Sequence, residues 1–361
     1  MPTNGAGATP FAPNATDLRR QRQLAFRIAF AATLTFSLGM ILSLPLFYIA
    51  AAFAAPFAQA PAPMPVRAGV RMLCSMAGLL ILALIFASLL LPYPVAFLSA
   101  IAISLALSFR YAVRGGDMLI TVAALLGALL VPYLMLKSPG LAASTTFWLM
   151  VNFTLGLIAS WAAFAVFPPV APAQPAPAPG PAPDDDLDRR HWRICLVSIP
   201  FAIVFFVTGS GAFYTLIFVS LLSSELAAST GSGPAAAQGM LRANILGGVV
   251  AFIAYESIVI APVPVVAILA TLTMSLFLAR RIAVGDKVSG SALTVALLLL
   301  GGSMVFSNDA DARLIDRIAQ IAIAIGYILM AFVLVDRWLP ERTRRGSETE
   351  SDTPPFARHP V

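Results

Sequence analysis

RIAFAATLTFSLGMILSLPLFY, residues Arg27 to Tyr48, and RICLVSIPFAIVFFVTGSGAFY, residues Arg193 to Tyr214, share one layout. Each opens on an arginine, runs through an apolar stretch, breaks at proline or glycine, and closes on Phe-Tyr. The offset between them is 166 residues. Working outward, Arg71 returns as Arg242, Pro92-x-Pro94 as Pro262-x-Pro264, Arg110 as Arg280, and Gly116-Asp117 as Gly285-Asp286. These offsets lie between 169 and 171. Small loop insertions produce a drift of this size, so the recurrence marks two copies of one unit.

The composition says what kind of unit it is. Of the 361 residues, 59% are hydrophobic and 11% charged, and the mean hydropathy is +0.87. A soluble domain carries about a quarter charged residues. Apolar runs of the length found here, about 20 residues each, read as membrane helices. Twelve spans are expected, near 27–44, 46–60, 69–91, 94–110, 117–136 and 145–167, then near 193–209, 212–227, 239–260, 263–279, 288–307 and 313–336. Prolines at Pro45 and Pro92-Tyr93-Pro94 stop helices at tight hairpins. The first apolar stretch is too long for a signal-peptide core and is read as retained helix.

Charge gives the orientation. With the N-terminus cytoplasmic, the outer loops carry only Lys137, Arg313 and Arg317 of the 23 Lys and Arg residues. This asymmetry places both termini in the cytoplasm. An even number of spans per copy gives both copies the same orientation. The expected fold is therefore an all-α integral membrane protein of about twelve transmembrane helices, arranged as two parallel six-helix repeats. Residues 1–17 form a disordered tail, 18–167 the first repeat, 168–190 a cytoplasmic linker, 191–340 the second repeat and 341–361 a second tail. Eight of the sixteen residues from 168 to 183 are proline, a polyproline-type spacer. Duplicated membrane units of this kind are an architecture of secondary transporters.

Enzymatic and metal chemistry find no footing. Cys74 and Cys195 lie in separate apolar segments, and His191 and His359 lie in polar flanks. These residues form no ligand-spaced cluster, and no nucleophile–base arrangement or glycine-rich phosphate loop is legible. No cofactor is expected. The basic balance reflects arginines that border helices rather than a nucleic-acid footprint; the partners expected are membrane lipid and a small organic anion.

Several segments carry a resemblance. LRRQRQLAFRIAFAATLTFSLGMIL (18–42) resembles the opening helix of the fusaric acid resistance (FUSC)/aromatic acid exporter superfamily. RAGVRMLCSMAGLLILALIFASLLL (67–91) and QGMLRANILGGVVAFIAYESI (238–258) resemble its third helix, and RLIDRIAQIAIAIGYILMAFVLVDRWLP (313–340) its last. The chain looks like a minimal branch that has a short linker and tail in place of the large cytoplasmic domains. The resemblance implies a bacterial inner-membrane exporter of aromatic or other organic acids that works with a periplasmic adaptor protein; a related branch is similar to anion channels, and a non-transporting membrane scaffold is a further reading of the residues.

Candidate functional residues follow from the cost of polar groups inside a membrane. Glu256 lies fourteen residues beyond Arg242, about 21 Å along one helix. Either it binds and releases a proton during transport, or it reaches the outer interface and faces water. Glu225 is the second proton-coupling candidate. It pairs with Gln59 at offset 166; either both belong to unusually short spans, the sequence pattern that points to a transporter site, or both mark the cytoplasmic end of a helix. Arg71 and Arg242 would bind a carboxylate or anchor the inner ends of their helices. Tyr48 and Tyr214, each beside a phenylalanine, would stack on an aromatic substrate or sit in an interfacial belt. Asp117 and Asp286, each after a glycine, are expected to cap helices.

The topology has a direct check. A fluorescent protein fused after Val361 should fluoresce, and alkaline phosphatase fused after Lys137 should be active. The reverse pattern would overturn the orientation, and both reporters on one side of the membrane would overturn the parallel arrangement.

Overall fold

The computed structural model describes residues 15–169, 184–208 and 233–305, with Gly326, Tyr327, Met330, Ala331 and Leu334. Its regular structure is entirely helical among the described residues. The helices are α1 (Ala15–Ile41), α2 (Phe47–Gln59), α3 (Val66–Leu90), α4 (Pro94–Val113), α5 (Met118–Lys137) and α6 (Pro139–Val166). They continue with α7 (Asp184–Thr208), α8 (Gly233–Ile260), α9 (Pro264–Ala283) and α10 (Lys287–Val305). Eight of these are long and apolar enough to cross a membrane, while Phe47–Gln59 and Val288–Met304 are shorter apolar helices. The expected span 212–227 and nearly all of 313–336 lie outside the described residues.

The helices overrun the apolar segments at their polar ends. Helix α1 begins at Ala15 rather than near residue 27, and α8 at Gly233 rather than near 239. Hydropathy locates the apolar stretch, whereas good helix formers such as arginine and glutamine carry the helix beyond it. Helix α7 begins at Asp184, inside the segment read as linker. An acidic run is compatible with a helix start, where the backbone dipole is positive.

Local chemistry fixes the turns. Pro94 and Pro264 occupy the first turns of α4 and α9, where a missing N–H costs nothing. Gly115 and Gly285 take positive φ, 79° and 101°, and end the preceding helices. Asp117 then caps α5 by accepting from the Leu119 N–H at 2.9 Å, and Asp286 caps α10 by accepting from the Val288 N–H at 3.0 Å. Asp286 also accepts from the Ser289 hydroxyl at 2.7 Å and from Arg281 at 3.2 Å. These donors, the Ser289 hydroxyl foremost, hold its carboxyl below the usual range.

Packing interlocks the two ends of the chain. One apolar core joins α1 and α2 to α8, α9 and α10 through Phe36, Ala54, Met274 and Leu297. A second joins α4, α5 and α6 to α7 through Leu105, Phe109, Leu129 and Phe205. So α1 packs on α9, and α7 packs on α4. The direction on α4 and α7 is antiparallel: Phe97 meets Phe206 at 5.9 Å, and Arg110 lies within electrostatic reach of His191.

Helix α6 clasps α2 along its length. The Asn152 side chain, fully buried, donates to Pro45 O at 2.8 Å before α2 begins. The Trp161 indole donates to Met64 O at 2.8 Å after α2 ends. Between them, a Cβ on Gly156 would stand 2.9 Å from Ala50 O, a backbone atom that cannot swing aside. Gly156→Val should therefore destabilise the bundle by about 1–3 kcal/mol, seen as a lower melting midpoint in detergent. Gly78→Ala, where nothing lies within 4 Å, should leave the midpoint unchanged.

Candidate functional site at the end of the short helix

Helix α2 has 13 residues and a length of about 20 Å, against an apolar membrane thickness of about 30 Å. One of its ends must therefore lie inside the bundle, and the last carbonyls of a helix have no partner within it. Arg27 of α1 supplies one. Its Nε donates to Ala58 O and its Nη2 to Ala60 O, each at 2.8 Å. The guanidinium lies 4.0 Å from the centre of the Phe164 ring on α6, a cation–π distance. The residue is 5% exposed.

A guanidinium has five N–H donors. Two donate to α2, and the others meet no acceptor among the described residues. Burial in an uncharged setting describes the surroundings of Arg27, and no acidic side chain neutralises it among the described residues. Further aromatic side chains recur along the helices that carry Arg27 and Phe164. Phe26 stacks on Phe167 at 6.1 Å, Phe30 meets the same ring edge-on at 5.7 Å, and Phe57 is buried on α2. A buried cation with free donors against the face of Phe164 suits an anion that carries its own apolar or aromatic body.

The candidates from sequence fall into separate places. Gln59 is the last residue of α2, next to the two carbonyls that Arg27 holds. Its Oε1 lies 3.2 Å from where a Cβ on Gly290 of α10 would stand. Tyr48, at the other end of α2, is buried with its ring against Gly301 of the same helix. Residues 48 and 59 thus meet 301 and 290, an antiparallel contact in which glycines admit the larger side chains. Tyr48 and Gln59 share one helix but stand at opposite ends of it, about 16 Å apart by helical rise.

Arg71 is exposed and lines a cleft of about 140 Å³ between α3 and the start of α5, with Met64, Met72, Ser75 and Asp117. Arg242 is exposed on α8, a helix that packs on α10 and α9 rather than beside α3. The two arginines are not brought together at one site. Glu256 is half-buried on α8, four residues before its end. The residues three and four positions away on the same helix, Phe252, Ile253, Val259 and Ile260, are all exposed, so Glu256 stands on an outward apolar face. It has no hydrogen bond or ion pair among the described residues. Glu225 and Tyr214 lie outside the described residues.

Arg27 was visible in sequence as the first residue of the repeated layout, and its counterpart Arg193 is also buried, at 9%. Recurrence was thus the available signal. The partners were not legible, because they are backbone carbonyls of alanines. No family model, no curated protein and no solved structure matches this chain.

Removing the guanidinium leaves the end of α2 unsatisfied. Hydrogen bonds to charged groups contribute about 1.5–3 kcal/mol each. Arg27→Ala should lower stability by about 3 kcal/mol or more in a detergent melt. Arg27→Lys, a single-point donor that cannot fork to both carbonyls, should fall between the two. An unchanged midpoint in Arg27→Ala would mean that the carbonyls are satisfied in another way.

Proposed function

We propose that this chain is a transporter of a bacterial inner membrane that exports organic or aromatic acids, driven by the proton gradient. The observation that carries this reading is the Arg27 guanidinium: buried at the end of a short helix, lying against the face of the Phe164 ring, and unpaired with any carboxylate among the described residues. An aromatic or apolar carboxylate would supply both the missing charge and a ring to stack. Gln59 would orient the bound anion, and Arg71, at its cleft on the same end, would draw anions toward it.

The two-copy architecture supports the reading. The recurrence from Arg27 to Asp286 describes two like units. The exchange of α1 onto α9 and α7 onto α4 is the reciprocal packing expected of two such units around an axis along the membrane normal. Similarity to the FUSC/aromatic acid exporter superfamily agrees with the same class of substrate. Rocking of one unit against the other would open the end of α2 to each side in turn.

One observation favours a second reading, an anion channel or uniporter. Glu256 stands on the outward face of α8, where it is poorly placed to relay protons to the Arg27 site. Flux of benzoate-type anions in proteoliposomes separates the two. Export predicts uptake that rises several-fold when a pH gradient is imposed and collapses with a protonophore. A channel predicts flux that follows the anion's own electrochemical gradient and ignores the protonophore. No flux of any organic anion in either condition would overturn both. Arg27→Lys, which keeps the charge, should reduce flux at least about tenfold if the fork positions the substrate.

A further inference from the structure

Helices α4 and α7 place a second cationic group on the bundle, away from Arg27. They run antiparallel, with Phe97 against Phe206 at one end. Thirteen residues further along α4 is Arg110, about 20 Å by helical rise, which sets it level with the first turns of α7. Arg110 and Arg114 lie within electrostatic reach of His191, as does Asp188. Both arginines are exposed, and neither makes a hydrogen bond or ion pair among the described residues. On the matching turn after α9, Arg281 is instead paired with Asp286.

What borders this cationic group is apolar and open. On α4, Ile103 and Leu107 are exposed just before Arg110; on α7, Trp192 is 64% exposed and Leu196 follows it on the same face. Exposed aliphatic residues below, an indole at the rim and arginines above are the order of layers a phospholipid presents: acyl chain, interface and headgroup.

We infer that the α4–α7 seam binds an acidic phospholipid, with Arg110, Arg114 and His191 on the headgroup phosphate and Trp192 at the interface. Arg110 and Arg114 outnumber Asp188, the acidic group within the same reach of His191, so the site selects an anionic headgroup over a zwitterionic one. The acyl chain lies along the exposed face of Ile103 and Leu107. Because α4 and α7 are the seam between the early and late parts of the chain, a bound lipid would brace it. This site is independent of the anion site at Arg27.

Native mass spectrometry of the detergent-solubilised chain tests this. Titration with phosphatidylglycerol or cardiolipin should give a tight one-to-one adduct that phosphatidylcholine does not give. Arg110→Ala with Arg114→Ala should weaken that adduct about thirtyfold, and Arg110→Lys with Arg114→Lys should largely keep it. Arg280→Ala with Arg281→Ala, at the opposite seam, should bind as the parent does. The alanine pair must elute as a folded monodisperse species; the lysine pair answers the same question if it does not, since replacing both forks by lysine predicts retention at low salt and loss at high salt. Equal adducts with phosphatidylcholine, or full retention by the alanine pair, would overturn the inference. So would displacement of the adduct by millimolar inorganic phosphate, which would identify a site for a free anion.

Discussion

A backbone carbonyl inside an apolar bundle must find a donor, and helix α2 creates that demand. Lipid offers no hydrogen bonds, so a helix too short to cross leaves its terminal groups to be satisfied by protein. Arg27 meets this need at Ala58 and Ala60, and the surrounding order follows from it. Helix α1 must lie beside α2 to deliver the guanidinium. Helix α6 must pass close enough for Phe164 to stack on it, which Gly156 permits by letting the α2 backbone approach. The far side of α2 then closes on α10, where Gly290 and Gly301 make room for Gln59 and Tyr48.

The same residue links architecture to chemistry. A carboxylate partner would have made Arg27 an internal ion pair with no capacity for a ligand. Carbonyl partners orient the guanidinium and leave its charge in place. The C-terminal end of a helix is the negative end of its dipole and holds a cation, and at α2 the guanidinium is that cation. The Phe164 ring covers the guanidinium at 4.0 Å, and burial away from water strengthens electrostatic interactions there.

Much of the local structure was legible. The Pro92-Tyr93-Pro94 break marked the tight turn between α3 and α4, and the Gly-Asp pairs predicted caps at Asp117 and Asp286, because proline φ and aspartate capping act within a few residues. The helices run beyond the apolar spans where polar residues continue them, as at Ala15 and Asp184. Glu256 and Arg242 were placed on one helix correctly, but which face each occupies was not readable. In a membrane protein the lipid-facing and core-facing sides are both apolar, so periodicity does not mark the buried stripe as it does in water.

Sequence by itself determined the helical, membrane-type character of the chain, the turn chemistry and the recurrence that begins at Arg27, since each depends on residue type and short-range geometry. Tertiary structure decided which helices touch: α1 with α9, α7 with α4, and α2 held between α6 and α10. It also decided what Arg27 does. Its partners are the carbonyls of Ala58 and Ala60, groups that every residue carries, and only the path of the backbone brings them within 2.8 Å of a guanidinium more than thirty residues away.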